Sequence, residues 1–180
     1  PALDAEGNKT QKYYDMKECN TDLTVLSPIY MRYTAKGQTM LYADPTASKV
    51  EYFGQQHPLD QLGQKTITDL AIGNKGDVLV GFFEKNVGEG EAFMLVNNSD
   101  IYFSNPITST ITFRTVSPAS VVTAYVKGVP TILEPVDGVY TVEVKDADAV
   151  FVTVSEPASI NANPAPAPVG QLTVAGTDIS

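Results

Sequence analysis

Tyr140 to Val154 reads YTVEVKDADAVFVTV, and this stretch sets the fold class. Tyr140, Val142 and Val144 recur at a period of two, as do Val150, Val152 and Val154, so each run is a strand with one face turned inward. Asp146-Ala147 between them reads as a turn, which predicts a closing hairpin. Each inward Val or Tyr contributes on the order of 1.5 to 3 kcal/mol through burial.

Working outward, the same period runs back to Ile29. In Ile107 to Arg114, residues Ile107, Ser109, Ile111 and Phe113 face one way and Thr108, Thr110, Thr112 and Arg114 the other: a half-buried strand with one wet face. Ile29–Thr34 and Thr39–Ala43 read as a strand pair around Ala35-Lys36-Gly37-Gln38, and Val50–Phe53 as a short strand. Thr66–Ile72 and Asp77–Glu84 flank the turn signal Gly73-Asn74-Lys75-Gly76; Glu91–Val96, Val121–Val126, Thr131–Leu133, Val139–Val144 and Ala149–Val154 follow. Ten or eleven short strands between turns predict a mainly β chain, an antiparallel sandwich.

Only Gln11 to Leu26 carries a helical period. Tyr13, Met16, Cys19, Leu23 and Leu26 fall at steps of three and four, an expected buried stripe on which Cys19 serves as a small core hydrophobe. Thr10 stands where an N-cap belongs and Ser27-Pro28 where a helix stops. From Glu156 to Gly170, Pro157, Pro164, Pro166 and Pro168 predict a stiff extended linker, after which Gln171 to Ala175 resumes a strand-like pattern, as the start of a continuing protein or as a returning edge strand. The expected organisation is thus residues 1–27 as a segment and helix packed on the sandwich, 28–155 as the sandwich, and 156–180 as linker and C-terminal segment.

The 180 residues are 43% hydrophobic and carry a net charge of -9. That suits a globular chain large enough to close a core without disulfide or metal. No apolar run approaches the ~20 residues of a membrane span, and Pro1 to Lys9 lacks the apolar core of a signal peptide. The negative surface, with no basic cluster, argues against nucleic acid, whereas a neutral polysaccharide remains an acceptable partner. One cysteine and one histidine, Cys19 and His57, exclude an internal disulfide and a four-ligand zinc cluster. Low Lys/Arg with abundant Thr, Ser, Asn and Gly and a Pro/Ala tail leans towards an extracellular protein, and a monomer is expected.

No catalytic motif stands out. A glycosidase needs two carboxylates about 5 to 9.5 Å apart across a cleft. Glu84, Glu89, Glu91 and Asp100 are the nearest to a cluster, and acids at turns are usually solvated; no catalytic residue is assigned. Asn97-Asn98-Ser99-Asp100 could offer oxygens to calcium, but such runs are more often turns held by side-chain bonds to the backbone, so no cofactor or metal is expected. Sugar binding needs flat aromatic faces, and with no Trp the task falls to Tyr. Tyr102 with Asn98, Asp100 and Asn105 would form one sugar-binding rim, and Tyr52 with Gln55, Gln56 and His57 another. The alternative is that these aromatics pin long loops to the core.

A resemblance adds to this. Asp4-Ala5-Glu6-Gly7-Asn8-Lys9-Thr10, then Tyr13-Tyr14, Glu18 and Asn20, and the helix ending Leu26-Ser27-Pro28-Ile29-Tyr30, resemble the last helix of the catalytic (β/α)8 barrel in bacterial β-galactosidase-like glycoside hydrolases. Gly81-Phe82-Phe83-Glu84, Glu91 to Asn97, Asp137 to Tyr140 and Ala149 to Val152 are similar to the β-sandwich that trails that barrel. The resemblance covers roughly residues 1 to 155 and implies a non-catalytic module of a secreted polysaccharide-degrading enzyme. Such a module either grips glycans of the β-glucan or hemicellulose type through surface aromatics or only supports the parent's catalytic domain. The family's catalytic glutamates lie on barrel strands and match no residue of this chain.

Overall fold

A computed structural model describes residues 1–43, 64–73, 75–99, 106–146 and 148–155. The chain is mainly β, with one N-terminal helix and two antiparallel sheets packed as a sandwich. Helix α1 (Gln11–Tyr30) is followed by β1 (Tyr33–Leu41), β2 (Ile67–Ile72), β3 (Val78–Lys85), β4 (Glu91–Asn97), β5 (Ser109–Thr115), β6 (Val121–Val126), β7 (Val129–Leu133), β8 (Tyr140–Val144) and β9 (Ala149–Ser155). One sheet has the order β1-β3-β4-β9-β6-β7, the other β2-β5-β8. Nine strands are present among the described residues, against the ten or eleven expected. Val50–Phe53, the segment 156–170 and Gln171–Ala175 lie outside them.

The core fills the space between the sheets, where Phe82, Phe93, Leu95, Ile111, Phe113 and Val152 are fully buried. Phe113 is its aromatic hub, stacked on Tyr140 with ring centroids 5.3 Å apart and met edge-on by Phe93 at 5.0 Å. Strand β5 alternates as its sequence predicts, with Ser109, Ile111 and Phe113 buried and Arg114 exposed.

Two expected strand pairings take other forms, and one turn signal joins strands of different sheets. Tyr140, Val142, Val144, Val150, Val152 and Val154 do share one core, yet β8 pairs with β5 while β9 lies between β4 and β6 in the opposite sheet. The link is therefore an arch between sheets. Inward alternation fixes which side chains meet a core, and two strands can meet it from the same sheet or from facing ones. Burial on both sides decides here: Phe151 and Thr153 are buried too, so β9 needs a position covered front and back. Likewise β2 and β3, on either side of Gly73 to Gly76, belong to different sheets. Finally, Ala35 to Gln38 is no turn. β1 runs straight through it along β3, and the register skips Lys36 between Ala35↔Phe83 and Gly37↔Phe82, a bulge in an edge strand.

Helix α1 differs most from expectation. It continues past Ser27-Pro28 to Tyr30. Pro28 has no amide to offer Thr24, and the Ser27 hydroxyl donates to that Thr24 carbonyl instead, at 3.1 Å. Thr10 holds the N-cap position, but its hydroxyl points back to the Pro1 and Ala2 carbonyls, at 2.9 and 3.0 Å, and caps nothing on the helix.

The expected buried stripe is not buried. Met16 is 51% and Leu23 58% exposed, Cys19 is exposed, and no residue of α1 is fully covered. The docking line is shifted towards the C-terminus. Leu26, Ile29 and Tyr30 pack on Phe83, Ala92 and Phe151, on the outer face of the six-stranded sheet. Spacing at three and four places residues on one stripe without saying what that stripe meets. The apolar packing of the helix on the sheet is confined to its last turns.

Candidate docking groove beneath helix α1

The two-residue turn Lys127-Gly128 joins β6 to β7, and both residues take positive φ, 49° and 78°. This is the geometry that matches the right-handed twist of a tight hairpin. It brings the Lys127 ammonium 2.7 Å from Glu18 Oε1 and 3.9 Å from Asp22 Oδ2 on the helix. The hydrogen bond to Glu18, then the charges of Glu18 and Asp22, raise the Lys127 pKa above its ordinary value.

Behind this ion pair, the lifted N-terminal part of α1 and the sheet enclose a groove of about 830 Å³. Met94 and Val96 of β4 and Tyr125 of β6 form its floor, and Cys19, Leu23 and Leu26 its roof. Around it stand the carboxylates of Asp15, Glu18, Asp22, Asp146 and Asp148, with Lys127 and Lys145 as the only basic groups among the described residues lining it. The Asp146 Oδ1 atom is buried without a hydrogen-bond partner among the described residues.

The residues expected to bind sugar are placed only in part. Asn98 is exposed, and its backbone N–H donates to the Asp77 carbonyl at 2.8 Å. Asp100, Tyr102, Asn105, Tyr52, Gln55, Gln56 and His57 lie outside the described residues. Beside Asn98, the buried Asn97 amide donates to the carbonyls of Ile107 and Val144 at 2.8 and 2.9 Å, and its oxygen accepts from the Ser99 amide at 2.9 Å. The start of that run is therefore a turn held by side-chain bonds, and its Asn97 oxygen already serves the fold.

Of the four acids weighed for catalysis, Asp100 lies outside the described residues, Glu89 is exposed in a loop, and Glu84 and Glu91 are occupied. Glu84 and Glu91 stand opposite each other across β3 and β4, where like charges repel. Each is drawn to a different partner. Glu84 pairs with Lys36 at 2.6 Å, and this hydrogen bond lowers its pKa. Glu91 accepts from the Thr66 amide and hydroxyl and from the Lys65 amide. Among the described residues, no group of three or more His, Cys, Asp or Glu is arranged to hold a metal ion.

Sequence reasoning missed this groove, although two of its signals were present. Asp15, Glu18 and Asp22 fall at steps of three and four, an acidic stripe, and Lys127-Gly128 sits between two alternating runs as a tight-turn dipeptide. No protein-family model matches the chain, and no match was found among curated proteins or solved structures.

Proposed function

We propose that the chain is a non-catalytic accessory β-sandwich whose helix α1 is a joint, clamped between its own sheet and a neighbouring glycoside hydrolase barrel. The observation that carries this reading is the helix itself. Twenty residues of helix hold to the sheet by their last turns, while Tyr14, Met16, Leu23 and Val25 stay half exposed or more. A helix in a protein draws most of its stability from packing, and one with apolar side chains on both flanks suits a place between two bodies. The resemblance of Asp4 to Thr10 and of the helix to the end of a β-galactosidase-like barrel names the second body. The engagement of Glu84 and Glu91 by structural partners supports the non-catalytic part.

Glycan binding through aromatics is less favoured. A sugar chain needs two or more aromatic faces in one groove, and Tyr125 is the only aromatic among the described residues lining the groove beneath α1.

The test is complementation. Mixed with a β-galactosidase-like barrel that lacks its own trailing sandwich, the chain should form a complex in sedimentation velocity and raise the barrel's unfolding temperature. Tyr14→Glu with Met16→Glu, both on exposed side chains outside the groove beneath α1, should abolish both effects while leaving the sandwich's own melting unchanged. A chain that ignores the barrel sinks the joint, and reducing sugar released by the chain alone sinks the non-catalytic assignment.

A further inference from the structure

We infer that the groove beneath α1 is a docking site for a basic, apolar peptide segment, whose cationic side chain takes the place of the Lys127 ammonium between Glu18 and Asp22. This goes beyond the joint proposed above. It concerns the face of α1 turned towards the sheet, and it stands whether or not the outer flanks of the helix meet a barrel.

Charge and polarity together choose the occupant. Five carboxylates ring the groove against two ammonium groups, on a chain whose net charge is -9. The floor of Met94, Val96 and Tyr125 is apolar and flat, suited to an aliphatic side chain. A basic residue beside an apolar one satisfies both surfaces at once. A free sugar would find one aromatic face, and a phosphate would be repelled.

Lys127 supplies the geometric precedent, since the fold already holds an ammonium at 2.7 Å from Glu18. That ammonium is replaceable. The Lys127 side chain is 49% exposed and Glu18 65%, so their pair is screened by water, and Lys127 swings away at little cost. The lysine is a plug that an incoming cation displaces.

The probe is a fluorescein-labelled Lys-Leu-Lys-Leu-Lys peptide titrated with the full chain, followed by anisotropy. Glu-Leu-Glu-Leu-Glu and Lys-Ser-Lys-Ser-Lys serve as controls. We expect saturable binding of the first peptide, weaker at higher salt, together with a shift of the Met94 methyl resonance. Lys127→Met, which removes the plug, should tighten binding about threefold to fivefold, and Glu18→Gln with Asp22→Asn should weaken it at least as much. Lys127 and Glu18 are exposed and Asp22 is half-buried, and circular dichroism verifies that the variants stay folded. Equal binding of either control overturns the proposal, as does a Lys127→Met variant with unchanged or weaker affinity. A Met94 methyl that moves with calcium or xyloglucan oligosaccharide but not with the peptide overturns it as well.

Discussion

Gly128 passes directly beneath Val25: a Cβ built on Gly128 would collide with the Val25 side chain. The glycine also holds φ at +78°. Both facts require glycine here, one for conformation and one for the approach of the β6–β7 turn to α1. Gly128→Ala should therefore lift the helix as well as strain the turn. Gly88 separates the two effects, because it has φ +80° and a Cβ added there would meet no atom within 4 Å. Gly88→Ala should cost about 1 kcal/mol, the strain alone. Gly128→Ala should cost more in urea unfolding and should also speed amide exchange in α1. Equal costs for the two variants, with α1 exchange unchanged, would show that the close approach is immaterial.

Phe151 couples the helix to the sheet. Its ring meets Tyr30, Tyr33 and Phe83 edge-on at centroid distances of 5.7, 5.6 and 5.7 Å. Phe151→Ala should destabilise the whole domain by about 3 to 5 kcal/mol, because it opens a cavity on a strand buried on both faces. Tyr30→Ala removes only the helix-side ring. It should leave the main unfolding transition nearly in place while raising amide exchange in the last turns of α1. If Tyr30→Ala lowered stability as much as Phe151→Ala, helix and sheet would be one cooperative unit and the picture of a loosely held joint would fail.

Glu91 ties the start of β2 to β4. Its carboxylate accepts from the Thr66 amide at 2.9 Å, the Thr66 hydroxyl at 2.6 Å and the Lys65 amide at 3.0 Å. These bonds link the three-stranded sheet to the six-stranded one at the edge of the core. Glu91→Ala should cost about 2 kcal/mol, since the two amides and the hydroxyl lose a charged acceptor. Glu89, exposed in the preceding loop, is the control, and Glu89→Ala should be neutral within about 0.5 kcal/mol. Equal urea midpoints for the two variants would remove Glu91 from the account of how the sheets are joined.

The contrast between strands and helix marks how far the sequence could be read. Strand existence and inward faces were legible because alternation reports burial directly, as in Ile111, Phe113, Val142 and Val152. Partnership was not, because β9 reads the same whether β8 lies beside it or across from it. Only the burial of Phe151 and Thr153 on its second face discriminates, and for Phe151 that involves α1 arriving from more than a hundred positions away in sequence. The bulge at Lys36 was hidden for a related reason, since a Gly within a polar run serves a turn or a bulge equally well. For α1 the period was right and the partner wrong. Tyr13 to Leu26 looked like a core stripe, while the docking residues proved to be Leu26, Ile29 and Tyr30, partly beyond a proline that reads as a stop. The groove needs residues from four elements, and its acidic stripe was visible without the turn that faces it.

Tyr33 gives the domain a dependence on alkaline pH. Its phenol lies against Phe151 at the base of α1, and burial, aided by the nearby Tyr125, raises its pKa from 10.0 to about 12. The sign follows from which state keeps its proton. Below pH 10 the phenol is neutral in folded and unfolded chains alike, and the full stability is present. Between pH 10 and about 12 the unfolded chain releases the proton while the folded one holds it, so the equilibrium moves towards unfolding. Above about 12 both forms are ionised and the loss is complete. A Tyr33→Phe variant keeps every other titratable group and removes this phenol alone. Urea unfolding of the two proteins from pH 9 to 12 should therefore diverge, the native chain losing more stability per pH step than Tyr33→Phe. Parallel curves would mean that the Tyr33 phenol reaches solvent freely, and that the last turns of α1 do not cover the sheet as they are placed here.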